Sequence, residues 1–206
     1  MKFYVLLQIL IIFVLPIGLL YFNIIKKKYR LALLFLSSIL VLGIVFIEKI
    51  PAHSLGIRTD NLVSSILPYI IFTALALVAI LLLALFLHRK PSANWKKDPH
   101  FLYLFIPISF LQEFLYRGFL FPKLSSISTN FFWIILANTV LFALLHIIYN
   151  NRRINVLFAS VAGLSFALMY YFSPNLILIS ISHAILNFFA VLFGFFSDNS
   201  KISTAR

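Results

Sequence analysis

The stretch from Phe3 to Ile25 reads FYVLLQILIIFVLPIGLLYFNII and carries no charged side chain. It is longer than the apolar region of about 7–15 residues in a signal peptide. It also ends in a basic cluster, Lys26-Lys-Lys-Tyr-Arg30. We therefore interpret it as a retained transmembrane helix.

Six more segments are apolar enough and have the roughly 20 residues needed to cross a hydrocarbon core. In lipid, only helices and closed barrels satisfy every backbone polar group. The sequence therefore predicts an all-α, polytopic transmembrane bundle of about seven spans. They lie near residues 3–25, 31–50, 62–88, 101–122, 130–150, 154–172 and 175–196.

The composition supports this class and excludes others. Of 206 residues, 63% are hydrophobic and 11% charged, with a mean hydropathy of +1.06, which excludes a soluble domain of this size. The absence of cysteine excludes disulfides and thiolate chemistry. The net charge of +12 does not indicate a nucleic-acid partner, because the basic residues cluster at segment ends rather than in a stripe with exposed aromatics.

The same charges orient the chain in the membrane. Alternating spans place twelve lysines and arginines on one side and four on the other. By the positive-inside rule, the C-terminus is predicted to be cytoplasmic and the N-terminus outside, in the cell (plasma) membrane.

Two prolines lie inside predicted spans. Pro16 is expected to kink the first helix. Pro107 removes a backbone hydrogen bond from the fourth segment. We expect it to divide that segment into a surface piece, near residues 98–106, and a membrane helix carrying Glu113.

Glu113 and Arg117 are the acidic and the basic side chain that lie deep inside the apolar sequence. Such groups cost several kcal/mol unless they are paired or face a polar cavity. Their spacing of four puts them on one helix face. A purely structural ion pair explains them as well, and it is compatible with a nearby active site. Gln112, the preceding residue, is by itself a typical interhelical hydrogen-bonding group.

Two histidines share this apolar environment. A lone intramembrane histidine is usually a satisfied polar contact, but His146 and His183 together with a nearby glutamate indicate one buried site. Asn187 follows His183 by one helical turn, so an amide and an imidazole point the same way and suit an oxyanion. Phe142 precedes His146 by one turn and is expected to pack on its ring. His183 lies nearer the outer end of its segment, so its depth is hard to match to Glu113.

These motifs resemble the CAAX prenyl endopeptidase family of intramembrane proteases, also called the CPBP or Abi family. The family pattern is Glu-Glu-x-x-x-Arg, Phe-x-x-x-His and His-x-x-x-Asn or Asp. The chain has Gln112-Glu113-x-x-x-Arg117, Phe142-x-x-x-His146 and His183-x-x-x-Asn187. The stretch Leu55 to Asn61 also looks like one that often precedes the core of these proteins. The resemblance implies a catalytic core over 100–196, in the last four spans. The hydropathy and charge patterns add N-terminal helices with their loops over 1–99 and a short cytoplasmic tail over 197–206.

The resemblance implies hydrolysis of a peptide bond of a membrane-associated protein or peptide. Glu113 with His146 is expected to activate a water, with Arg117 holding the carboxylate. His183 and Asn187 are expected to stabilise the oxyanion. Family members are described as metalloproteases or as metal-free enzymes. A divalent metal such as zinc, if bound, would take Glu113, His146 and His183 as ligands.

The departure from the pattern is Gln112, where the family usually has its first glutamate. Glutamine neither takes up a proton near neutral pH nor supplies an anionic ligand. Either Glu113 does the work, or the protein has lost hydrolysis and kept a role in peptide binding, bacteriocin immunity or envelope regulation, or the residue is an engineered change. A small transporter or proton relay is a further alternative, since it would share the intramembrane Glu, Arg and His.

Overall fold

The computed structural model describes residues 2–92, 100–148 and 152–195, and over these residues it contains helices and no strand. The prediction of a polytopic helical bundle is confirmed. We number the seven helices α1 to α7. They span Lys2–Tyr21 (α1), Arg30–Ile47 (α2), Leu62–Phe86 (α3), 100–127 (α4), Phe131–Ile148 (α5), Arg152–Phe172 (α6) and Leu176–Leu192 (α7).

Five of these helices, α1, α2, α3, α5 and α6, are long and apolar enough to cross a membrane, and α7 is a shorter apolar helix. Large apolar side chains such as Phe46, Val63 and Phe86 are about four-fifths exposed or more. A soluble protein rarely leaves so much contiguous apolar surface in water. These outward faces are suited to lipid contact.

Pro16 acts on α1 through a local change of helix type. The segment Leu10–Val14 is π-helical, and the backbone N–H of Leu15 donates to the carbonyl of Leu10. Proline lacks an N–H and clashes with the preceding turn, and a π-turn accommodates such a break inside a helix. The α-helix then resumes over Leu15–Tyr21.

The expected division of the fourth segment at Pro107 is wrong. The α-helix His100–Glu113 continues through Pro107, because membrane helices tolerate a proline whose lost hydrogen bond is compensated locally. The irregularity lies further on, where Phe114–Leu120 is π-helical before the α-helix resumes at Phe121–Ile127. Residues 98 and 99 of the proposed surface piece lie outside the described residues.

Helix α7 is held between other helices, which positions the residues it carries. It packs against α4 and α3, while α5 packs against α6. At one end, the backbone N–H of Leu176 donates to the carbonyl of Gly56 over 2.8 Å, and the Asn175 amide donates to the carbonyl of Arg58. At the other end, Arg89 donates to the carbonyl of Gly194 over 2.6 Å. Both ends of α7 are therefore fixed to loops next to α3.

A polar junction at the end of α2 joins α1, α2 and α4. The carboxylate of Glu48 accepts hydrogen bonds from Gln8 and from the buried Lys123. Partial burial alone would raise the pKa of Glu48, but hydrogen bonds from Lys123 and Gln8 outweigh it and lower the pKa below its usual value. This junction fixes the end of α4 beyond Arg117.

Candidate active site

Glu113 and His183 meet in the middle of the bundle. The Oε1 atom of Glu113 lies 2.6 Å from Nδ1 of His183, and both side chains are buried. Because α7 starts at Leu176 and ends at Leu192, His183 lies near its centre rather than near its outer end. The difficulty in matching its depth to Glu113 is thereby removed.

Arg117 pairs with the same carboxylate. Its Nε lies 3.3 Å from Oε2 of Glu113 and its Nη1 3.4 Å from Oε1, and neither side chain is exposed. Nη2 donates to the backbone carbonyl of Gly163 over 3.0 Å. The guanidinium also lies over the Phe142 and Phe166 rings, 4.6 and 5.6 Å from their centroids. The charge is thus held by a carboxylate, a carbonyl and two aromatic faces.

His146 occupies the 3₁₀ turn that ends α5. Its Nδ1 lies 3.2 Å from the carbonyl oxygen of Phe142. Since a carbonyl only accepts, Nδ1 carries the hydrogen and Nε2 carries the lone pair of the neutral ring. The Phe142 ring lies 5.3 Å from the ring of His146 and 5.9 Å from that of His183, so it connects the two histidines.

A cavity of about 550 Å³ opens within the bundle beside these residues. Its walls are mainly alanine, leucine, isoleucine and phenylalanine side chains from α3, α4, α6 and α7. Four polar side chains that the sequence singled out also line it: Gln112, His146, His183 and Asn187. Successive residues of a helix point about 100° apart, and here Gln112 lines the cavity while the fully buried Glu113 does not.

The donor set does not suit a metal ion. One oxygen of Glu113 is bonded to His183, and both oxygens lie within 3.4 Å of the Arg117 guanidinium, whose positive charge opposes a cation at the same carboxylate. Within the part of the chain that the structure describes, no three His, Asp or Glu side chains form a group of metal ligands. The zinc site of Glu113, His146 and His183 stays a prediction that this arrangement does not favour.

The structure adds contacts that sequence reasoning did not find. Phe166 lines the cavity with its ring 4.9 Å from that of His183, and nothing in its local sequence distinguishes it from other apolar residues of α6. Asn138, fully buried on α5, donates to the carbonyl of Tyr116 over 2.6 Å. Asn138 could have been identified from the sequence, because a polar residue in an apolar helix usually forms a hydrogen bond to another helix.

Gly163 allows α5 and α6 to pack closely because it has no side chain. A Cβ atom at this position would lie 2.9 Å from Cδ1 of Phe142. The absence of a side chain therefore lets α6 approach α5 closely enough for the carbonyl of Gly163 to reach Arg117.

The comparison with protein families gives a match that covers the residues of the candidate site. Residues 94–189 match the family model described as type II CAAX prenyl endopeptidase, Rce1-like. The match contains every motif residue from Gln112 to Asn187. Neither the comparison with curated proteins nor the one with solved structures found a match. Residues 94–189, a little under half of the chain, are therefore similar to the type II CAAX prenyl endopeptidase, Rce1-like family of proteases.

Proposed function

We propose that this chain is an intramembrane endopeptidase that hydrolyses a peptide bond of a membrane-associated protein or peptide. Its family is generally one of proteases. The observation that carries the proposal is the convergence of Gln112, His146, His183 and Asn187 on one apolar cavity. Apolar walls accommodate a hydrophobic segment, and a few polar groups at one place fix a scissile bond.

His146 is the base in this proposal. Its Nδ1–H is engaged by the carbonyl of Phe142, so Nε2 is the atom that accepts a proton from a water. The amide of Gln112 lines the same cavity and orients that water by donating and accepting hydrogen bonds. The water attacks the scissile carbonyl carbon, and its proton passes to His146 and then to the leaving amine.

His183 and Asn187 stabilise the oxyanion that forms on the carbonyl oxygen. They lie one turn apart on α7 and both line the cavity. With Nδ1 donating to Glu113, an Nε2–H donor exists only when the ring carries both protons. The negative charge of Glu113 balances that ring, as a buried carboxylate balances an imidazolium in other hydrolases.

The expected role of Glu113 as water activator is less favourable in this arrangement. To reach a water in the cavity, its carboxylate would have to leave both His183 and Arg117. Breaking a buried ion pair in this way costs about 3–5 kcal/mol. We therefore assign Glu113 to orienting His183 and Arg117 to holding Glu113.

A second candidate function is supported by the same cavity. Among the described residues, no aspartate or glutamate lines it. Where its family usually has the first glutamate, this chain has Gln112, so a member that binds hydrophobic peptides without cleaving them is the alternative. It shares the proposed partners, a hydrophobic peptide or membrane protein and the lipid bilayer.

Cleavage by reconstituted protein separates the two candidates. The protein is placed in liposomes with a pool of transmembrane and lipid-anchored peptides, and products are identified by mass spectrometry with and without chelator. The variants are His146→Ala, Asn187→Ala and Gln112→Glu. His53→Ala is the matched control, because His53 lies on an exposed loop outside the cavity.

The peptidase proposal predicts cleavage by wild type and by His53→Ala, and loss of cleavage in His146→Ala. Cleavage that His146→Ala leaves unchanged would remove His146 from the mechanism. Cleavage by Gln112→Glu alone would identify the natural chain as a binding protein with an intact scaffold.

A further inference from the structure

Helix α6 carries none of the three sequence motifs, yet it contacts the centre of the site. Gly163 supplies the carbonyl that accepts from Arg117. Phe166, one turn later on the same helix, is 3% exposed and places its ring 4.9 Å from the imidazole of His183, tilted by 32°. The same ring lies 5.6 Å from the Arg117 guanidinium carbon.

We propose that Phe166 is a positioning residue: its ring fixes the imidazole plane of His183, so that Nδ1 stays on Glu113 and Nε2 faces the cavity. One hydrogen bond to a carboxylate fixes the position of Nδ1 but leaves the ring free to rock about that bond. A flat face packed against the imidazole restricts this rocking, because tilted aromatic pairs at this separation are favourable.

Phe166 is itself held from behind. The ring of Phe72 on α3 meets it edge-on at 5.4 Å. The next residue of α3, Thr73, donates from its hydroxyl to the hydroxyl of Ser182 on α7, the residue before His183, over 2.8 Å. The imidazole is therefore restrained from α3 and α6 as well as from α4, which explains how a site at the centre of the bundle keeps its geometry.

The consequences of changing Phe166 follow from this arrangement. Phe166→Leu keeps an apolar side chain but loses the flat face, so the His183 ring keeps only its bond to Glu113 and the edge-on contact with Phe142. Small misplacements of a catalytic group cost up to about a hundredfold in rate. We expect kcat to fall at least about tenfold while KM changes less than about threefold. Phe166→Tyr keeps the ring and is expected to retain most of the rate.

Phe172→Leu is the matched control. Phe172 lies on the same helix but is about three-quarters exposed and does not line the cavity, and its ring lies 6.4 Å from that of Phe131. The same substitution there removes a phenylalanine of α6 that does not contact His183, so we expect kcat and KM to stay near the wild-type values.

The kinetic part of this test rests on the proposed peptidase function, so a second measurement does not use cleavage. The protein is labelled with ¹⁵N-histidine in micelles, and the His183 signals are assigned with His183→Gln. The positioning role predicts a single set of sharp ring ¹⁵N signals for His183 in wild type, Phe172→Leu and Phe166→Tyr. It predicts broadened or doubled ring signals, from exchange between ring orientations, in Phe166→Leu.

The outcomes are distinguishable. If wild type does not cleave but Phe166→Leu alters the His183 signals, the peptidase proposal fails and the positioning role stands. If a folded Phe166→Leu leaves the His183 signals and kcat unchanged, the positioning role is overturned. Loss of structure in Phe166→Leu that Phe166→Tyr does not restore also overturns it, because packing volume would then be the function of the ring.

Discussion

The Nδ1 atom of His183 lies 2.6 Å from Oε1 of Glu113, although the two residues are 70 positions apart in sequence. This contact ties α4 to α7 at the wall of the cavity. In the proposed mechanism it gives Glu113 a task other than water activation and leaves Nε2 of His183 for the oxyanion.

Replacing Glu113 by glutamine tests that task. Glutamine keeps the size and an acceptor oxygen for His183 but removes the negative charge that balances the doubly protonated ring. In a serine-protease triad, the corresponding change of aspartate to asparagine lowers kcat by about four orders of magnitude. We expect Glu113→Gln to lower kcat at least about a hundredfold in the liposome cleavage assay.

Glu48→Gln is the control for Glu113→Gln, because it makes the same chemical change at a carboxylate outside the cavity. It should leave kcat near the wild-type value. Undiminished cleavage by Glu113→Gln would show that the charge of Glu113 is not needed.

The helices were predictable because lipid imposes a simple rule on them. The predicted span 62–88 is observed as Leu62–Phe86, and 154–172 as Arg152–Phe172. The hydropathy pattern along the chain indicates where such helices begin and end. It contains no signal for the π-helical segment Phe114–Leu120, since that depends on how Arg117 and its neighbours pack.

The sequence was enough to predict which polar residues would form the candidate site, but it did not predict how they would be arranged. As polar residues in apolar helices, Glu113 and both histidines stand out from the sequence alone. Gln112 lines the cavity and Glu113 does not. This difference depends on how α4 is rotated against α7, which the spacing of residues within one helix does not give. Phe166 was missed because an aromatic residue in a membrane helix is unremarkable in sequence.

Gly163→Ala tests the close approach of α5 and α6. The new Cβ would lie 2.9 Å from Cδ1 of Phe142, so the ring or the helix must move. Overpacking of this kind costs about 1–3 kcal/mol, and the displaced ring also contacts His146. We expect a lower thermal midpoint in detergent together with a lower kcat.

Gly43→Ala is the matched control, because a Cβ there meets nothing within 4 Å. It is expected to be neutral or to stabilise α2 by up to about 1 kcal/mol. Equal stability of Gly163→Ala and wild type would contradict the close approach.

The junction at Glu48 predicts a pH dependence of stability. The pKa of Glu48 is lower in the folded protein than its usual value of 4.5, because Lys123 and Gln8 hydrogen-bond to the charged form. Its contribution is therefore present above about pH 4.5 and is lost as the pH falls through the lowered pKa.

Thermal unfolding of wild type and Glu48→Gln, compared from pH 7 to pH 3, measures this contribution. Wild type should be more stable at neutral pH by about 1 kcal/mol or less, since the pair is partly exposed. The difference should shrink at the acid end. A difference that grows on acidification would contradict the assignment.

The charge bias predicts a cytoplasmic C-terminus, and the cysteine-free chain allows a direct test. Single cysteines are introduced as Ser54→Cys, in the loop between α2 and α3, and as Asn23→Cys, between α1 and α2. A membrane-impermeant maleimide added to intact cells should label Ser54→Cys and spare Asn23→Cys. The opposite pattern would invert the orientation.

Hydrolysis in H₂¹⁸O tests the central claim most directly. Wild-type protein is incubated in liposomes with the membrane-peptide pool in labelled water, and both fragments of each cleaved peptide are weighed by mass spectrometry. The account predicts one ¹⁸O atom in the new C-terminal carboxyl group and none in the amine fragment, with no product from His146→Ala. Intact peptides after incubation with wild type, under conditions in which Gln112→Glu yields labelled product, would contradict it.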